Sequence, residues 1–168
     1  MKYSVWIIPP KPVFNELKKV INDLSLQYKS PVFKPHMTVL GNIDLELNKI
    51  QKVVKEVATD IDNLTLSLGP ISFSTTYLQS VFVRVNSTAR LMQLNLEIKK
   101  LLNIENNVFM PHISLMYGNH DMETREKIAT KIKLRSSSFV VNEIVIGSEK
   151  PEPRGWEPIA TIPFGVKG

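Results

Sequence analysis

Phe33-Lys34-Pro35-His36-Met37-Thr38-Val39-Leu40-Gly41-Asn42 returns later in the chain as Phe109-Met110-Pro111-His112-Ile113-Ser114-Leu115-Met116-Tyr117-Gly118-Asn119. Each stretch opens with Phe-x-Pro-His-x-(Thr/Ser) and closes on Gly-Asn. Each reads as an apolar strand running into a turn. The flanks repeat as well. Before the first copy, residues 4–8 form a short apolar run, expected as a buried strand. Helical spacing follows over 10–28, with Phe14, Leu17, Val20, Ile21 and Leu24 on one stripe and Pro12 where a first-turn proline is tolerated. After the first copy, Asp44 is expected to cap a helix with Leu47, Ile50, Val53, Val54 and Val57 inward. Leu64, Leu66 and Leu68 then alternate with Thr65 and Ser67, a half-buried strand expected to stop at Gly69-Pro70.

The order begins again with Val81, Val83 and Val85 alternating with Phe82 and Arg84. Ser87 or Thr88 is expected to cap a helix with Leu91, Leu94, Ile98 and Leu101 inward. Beyond the second copy come a helix over 123–134, a long strand over 139–147, a Pro-rich loop at 150–156 and a last strand near 159–164. Strand–helix–strand–helix–strand thus occurs twice, and self-similarity in fixed order marks an internal repeat. The expected fold is α+β, one domain over 1–168, in two pseudo-twofold lobes. The lobes are expected from the repeats at about 4–71 and 81–147, with a C-terminal strand added. Middle strands lying side by side would put a cleft between the lobes.

The His-x-(Thr/Ser) spacing has a physical meaning. Residues i and i+2 of a strand share a face, so His36 and Thr38 project together, as do His112 and Ser114. Duplication brings two imidazoles and two hydroxyls into one cavity. An unperturbed imidazole titrates near pH ~6.5, so two of them supply a base and an acid near neutrality. Two hydroxyls can hold phosphate oxygens, and the set can open a phosphodiester without metal. A lone His-x-Thr is more often a packed core or rim histidine. Two matching copies in a chain with three histidines favour chemistry. His112 is assigned as the base that activates water and His36 as the acid. A zinc site would need His120 as a third ligand. No carboxylate or cysteine accompanies the motifs, so no metal and no cofactor are expected. His120 is read as an exposed turn residue or helix cap.

The pair His36-Met37-Thr38-Val39 and His112-Ile113-Ser114-Leu115 resembles the signature of the two-histidine phosphoesterase superfamily, and the likeness covers nearly the whole chain. Trp6-Ile7-Ile8-Pro9-Pro10, His112-Ile113-Ser114-Leu115-Met116-Tyr117-Gly118 and Trp156-Glu157 look most like the plant and yeast cyclic phosphodiesterases. The resemblance implies antiparallel sheets lining a central cleft with helices outside. It implies hydrolysis of 2′,3′-cyclic nucleotides or ADP-ribose 1″,2″-cyclic phosphate, with His36 and His112 catalytic and Thr38 and Ser114 on the substrate. Relatives that act on RNA ends, ligate RNA 2′,5′ or cut 2′,5′-oligoadenylate remain alternatives, as does a non-catalytic nucleotide-binding module.

Tyr117 is implied by the resemblance to hold phosphate or base, although a core or rim aromatic fits equally, on the opposite strand face if the strand stays regular. Trp156, after the Pro-rich loop, is a stacking surface for a purine or an ordinary packing residue. Trp6 reads as core and Arg84 as a surface arginine.

Composition sets the outer bounds. The 168 residues are 43% hydrophobic and 22% charged, ordinary for a globular domain. No apolar run is long enough to span a membrane, and the apolar start of the chain is too short for a signal peptide. The net charge of +5 suits an anionic ligand or simply a basic surface. Lys and Arg are dispersed, so a small cyclic-phosphate nucleotide is the expected partner and RNA ends a secondary one. Cysteine is absent, which excludes disulfides and thiolate nucleophiles and fits a cytoplasmic protein. A monomer is the default state.

Overall fold

The computed structural model describes residues 1–105, 108–150 and 155–165. The chain runs β1 (Lys2–Ile7), α1 (Val13–Tyr28), β2 (Met37–Ile43), α2 (Leu47–Thr59), β3 (Leu64–Phe73), β4 (Val81–Val85), α3 (Ala89–Leu102), β5 (His112–Met116), α4 (Met122–Lys131), β6 (Ser138–Val141), β7 (Glu143–Glu149) and β8 (Glu157–Pro163). Of the loop expected at 150–156, residues 151–154 lie outside the described residues. No helix among the described residues is long and apolar enough to cross a membrane.

The strands form one eight-stranded sheet in the order β6-β3-β4-β5-β2-β1-β7-β8, antiparallel at every pairing described. Its centre is the meeting of β2 with β5 through Met37 and Ile113, as the duplicated motif implied. Reflecting the order about that centre exchanges β1 with β4, β7 with β3 and β8 with β6. The pseudo-twofold symmetry is therefore real, but the two halves of the sheet do not coincide with the two sequence repeats. β3, the third strand of the first repeat, lies beside β4, and β7, the later part of the strand expected third in the second, lies beside β1. Helices cross over likewise: α1 packs on β5, and α3 packs on β2.

The strand expected over 139–147 is broken at Asn142, which is the whole link between β6 and β7. β6 is one edge of the sheet, and β7 lies next to the other edge. One residue can join them only because the sheet curls until its ends come together.

Three further readings change for local reasons. Strand β3 does not stop at Gly69-Pro70 but continues to Phe73. Leu68 pairs with Val85 and Ile71 with Val83, so β3 carries one extra residue there. A bulge is where a sheet tolerates a proline that has no N–H to give. Asp44 does not cap α2. Glu46 occupies the cap position and its carbonyl takes the N–H groups of Lys49 and Ile50, leaving Asp44 two residues too early. Leu101 is 43% exposed, and Leu102 takes its place in the core. At 3.6 residues per turn, residue 102 falls about 20° from Leu91, whereas residue 101 falls about 80° away. Thr88, of the two candidates, caps α3 by accepting from the Leu91 N–H. Asp121 caps α4 in the same way through Thr124.

Candidate active site

The single β2–β5 pairing arranges the motif residues. Met37 opposite Ile113 in antiparallel register puts His36 across from Ser114 and Thr38 across from His112. Met37 and Ile113 point into the core and are fully buried. By strand alternation the other four side chains share the opposite face. There they line a cleft of about 500 Å³, together with Tyr117, Trp156, Asn95 and Glu149 among others. The two histidines are diagonal neighbours in this grid, a relation that spans roughly 7–8 Å.

Both imidazoles are locked by the same device. His36 Nδ1 donates to the carbonyl of Lys34 at 2.7 Å, and His112 Nδ1 donates to the carbonyl of Met110 at 2.8 Å. A carbonyl only accepts, so each Nδ1 carries the hydrogen and each Nε2 is left as the basic nitrogen. The proline between carbonyl and histidine has its φ fixed near about −65°, which stiffens the short span over which that bond closes. The Phe-x-Pro-His pattern is thus a local device for fixing a tautomer.

Surroundings differ between the two. Trp6 lies against His36 at 4.8 Å between ring centroids, and Trp156 meets it edge-on at 5.9 Å. Burial pulls the His36 pKa from the usual 6.5 to about 4; the Lys34 hydrogen bond opposes the drop, and the neighbouring His112 adds to it. His112 rests edge-on to Phe82 at 5.4 Å. Its pKa is also lowered, chiefly by burial, with the nearby Arg84 cation contributing. Arg84 is exposed and sits over the Phe82 ring. The hydroxyls differ too. Ser114 Oγ donates to the Leu78 carbonyl at 2.7 Å. That carbonyl belongs to the loop between β3 and β4, which Arg125 pins by donating to the carbonyls of Ser74 and Thr76.

Trp6 is buried, as expected, and its size has a consequence. A Cβ on Gly147 would collide with the Trp6 ring, so only glycine lets that indole cross strand β7. Tyr117 lies one residue beyond β5 and escapes strand alternation. Its ring is 2% exposed, stacks on Phe33 at 3.9 Å and still lines the cleft. Burial pushes its phenol above the usual range, so it stays protonated. Trp156 stacks on Trp6 at 6.3 Å, and its indole N–H donates to the Lys150 carbonyl.

His120 is a correction. It is neither an exposed turn residue nor the cap of α4. Its ring packs edge-on to Tyr28, and its Nε2 lies 3.3 Å from the Tyr28 carbonyl. Gly118, at φ +147°, makes room for it, because a Cβ there would meet the imidazole at 2.6 Å. His120 does not line the cleft. Among the described residues no three His, Cys, Asp or Glu side chains group as a metal set. Two polar residues of the cleft escape a motif search. Asn95 interrupts the buried stripe of α3, a signal that sequence contains. Glu149 ends β7, and nothing near it in the chain marks it.

A family model described as cyclic phosphodiesterase-like protein matches residues 1–162. The chain belongs to the cyclic phosphodiesterase-like family. Within the two-histidine phosphoesterase superfamily, this cyclic phosphodiesterase-like chain is 25% identical over 167 residues to the cyclic phosphodiesterase of Arabidopsis thaliana, covering 94% of its own length and 92% of the relative. It is an enzyme, a phosphodiesterase. Its fold is that of E. coli LigT in apo form, with a TM-score of 0.65 at 17% identity over 96% of both chains. A Thermus thermophilus protein superposes with a TM-score of 0.72 at 13% identity over 100% of both. LigT has also been crystallised with 3′-AMP, a structure matched at a TM-score of 0.63 and 16% identity over 98% of both chains.

Proposed function

We propose that this phosphodiesterase opens small cyclic phosphates, 2′,3′-cyclic nucleotides or ADP-ribose 1″,2″-cyclic phosphate, by acid–base catalysis between His36 and His112 without a metal. The observation that carries the reading is the pair of Nδ1 locks, which leave two Nε2 atoms free in one cleft. Water attacks phosphorus while its proton passes to the Nε2 of the base. The opposite P–O bond breaks, and the departing ribose oxygen takes the proton of the acid. Thr38 and Ser114 hold the non-bridging oxygens as charge shifts onto them. From the sequence, in which the two copies are nearly interchangeable, His112 is assigned as base and His36 as acid, but burial favours the reverse. His36 has the more strongly lowered pKa, which suits the base, and His112, lowered less, suits the acid.

Ligand size is supported from two sides. A cleft of about 500 Å³ fits one nucleotide. LigT, which shares the fold, has been crystallised with ATP, 3′-AMP, NADP⁺ and phosphate. The test is a substrate panel: the four nucleoside 2′,3′-cyclic phosphates, ADP-ribose 1″,2″-cyclic phosphate, a cyclic-phosphate-ended oligonucleotide and 2′,5′-oligoadenylate, each with and without chelator. Turnover of the mononucleotide-sized cyclic phosphates, indifferent to chelator, is expected. If kcat/KM favours the oligonucleotide by 100-fold, about 2.7 kcal/mol, contacts extend well beyond one nucleotide and an RNA-end or 2′,5′-oligonucleotide activity replaces this one.

A further inference from the structure

The cleft carries a carboxylate that the chemistry above does not use. Glu149 lines it beside the motif residues. One of its oxygens, Oε1, accepts from the Ser4 hydroxyl and from the Asn42 N–H at 3.2 Å. These bonds hold the side chain in place and leave Oε2 as an acceptor without a partner among the described residues. Oε1 lies 3.3 Å from where a Cβ on Gly41 would stand, and the Thr38 methyl lies equally close to that point. The carboxylate is therefore within one side chain of a hydroxyl placed to hold phosphate. Negative charge so near an anionic ligand is unfavourable unless it faces a hydrogen-bond donor.

A second acceptor lies in the same cleft. Asn95 is only 7% exposed, and its Nδ2 donates to the Val39 carbonyl at 2.7 Å. That bond fixes which end of the amide is which, so Oδ1 is the end left to accept. Two oriented acceptors beside a phosphate site call for a ligand edge that donates.

We propose that Glu149 and Asn95 form a base-reading subsite that selects nucleobases bearing an exocyclic amine, namely adenine, cytosine and guanine, over uracil. An exocyclic amine brings donor N–H groups to a carboxylate, whereas uracil offers one N3–H flanked by two carbonyl oxygens that would face the carboxylate with like charge. The subsite rests on the cyclic-nucleotide reading above.

The experiment compares kcat/KM for 2′,3′-cyclic AMP, CMP, GMP and UMP in the wild type and in Glu149→Gln. Glutamine keeps a carbonyl oxygen for Ser4 and Asn42 but turns the free atom into an NH₂ donor. The wild type is expected to favour the amine-bearing substrates by about tenfold or more, the worth of one good polar contact to a base. In Glu149→Gln that ratio is expected to collapse or invert toward UMP, since an amide N–H suits the uracil oxygens. An equal loss on all four substrates would reduce Glu149 to a clamp between β1, β2 and β7 and overturn the subsite. A wild-type ratio near one does the same. If no cyclic nucleotide is turned over at all, the parent reading fails first and takes the subsite with it.

Discussion

The two halves of the cleft carry the same motif and treat it differently. Around His36 the chain places two indoles, a threonine and, five residues on, Gly41, which leaves space for Glu149 and Ser4. Around His112 it places Phe82, a serine tied to a loop carbonyl and, five residues on, Tyr117. Symmetry supplies two imidazoles with matched tautomers. The departures from symmetry give them unequal proton affinities. Acid–base work needs one imidazole neutral while the other is charged, and unequal surroundings favour one such arrangement over its mirror.

The largest effect should come from breaking either copy. His36→Ala and His112→Ala are each expected to lower kcat by about 10²–10⁴-fold while the protein stays folded by circular dichroism. Near-wild-type turnover in either would remove the pair from the chemistry. A substrate with an activated leaving group sharpens the comparison. It should rescue the variant lacking the acid, which on the proposed roles is His112→Ala; rescue of His36→Ala instead restores the assignment of His112 as base and His36 as acid.

The hydroxyls should differ next. Ser114 already donates to Leu78, so it serves phosphate only by giving up that bond. Thr38→Ala is therefore expected to cost roughly 10²–10³-fold, and Ser114→Ala less. Equal losses measured on one cyclic substrate would show that Ser114 is released when ligand binds.

Proton linkage probes the burial difference directly. The folded His36 value of about 4 lies below 6.5, so the unfolded chain binds that proton more readily between the two. Stability is complete above pH 6.5 and falls as pH drops, by about 3 kcal/mol at pH 4 at 1.36 kcal/mol per unit. Urea unfolding across that range should show the slope in the wild type and a shallower one in His36→Ala, with His112 supplying part of the remainder. Because both histidines are depressed, kcat/KM is expected to peak below pH 6.5. A bound phosphate anion favours imidazolium, so kcat should peak at higher pH. Coincident peaks would mean that substrate leaves the pair's proton affinities unchanged.

The smallest expected effect concerns Trp156. Trp156→Ala removes a surface worth roughly 1–3 kcal/mol if a base stacks on it, read as a raised KM. It also uncovers His36, so the acid limb of the pH profile should move toward 6.5. A raised KM with an unmoved limb would assign the enclosure of His36 to Trp6 alone.

Much of this was legible in the sequence itself, for local reasons. Period-two alternation puts His36 with Thr38 and His112 with Ser114 whatever else the chain does, and an internal repeat brings the two strands together. Features that depend on distant segments were not. Leu78 reaches Ser114 across 36 positions, and Glu149 reaches Asn42 across 107. Gly69-Pro70 reads as a stop because a strand that bulges and one that ends use the same residues. The break at Asn142 carries no turn signal; it follows from curling of the whole sheet, which no window of sequence contains. Asn95 is the instructive miss, since a polar residue on an apolar helix stripe already asks for a buried partner.

The exchange of third strands bears on how such a chain can be divided. Cutting in the loop between β3 and β4 gives two fragments that cannot complete their halves of the sheet: the first lacks β7 and β8, the second lacks β3, and each holds what the other needs. Neither fragment closes alone, yet two together interlock as a domain-swapped pair would. A protein bearing one repeat would complete its sheet by trading that strand with a second copy, and a cleft with two histidines would follow from the pairing. The covalent chain has a topology close to that of such a dimer with its two copies joined end to end.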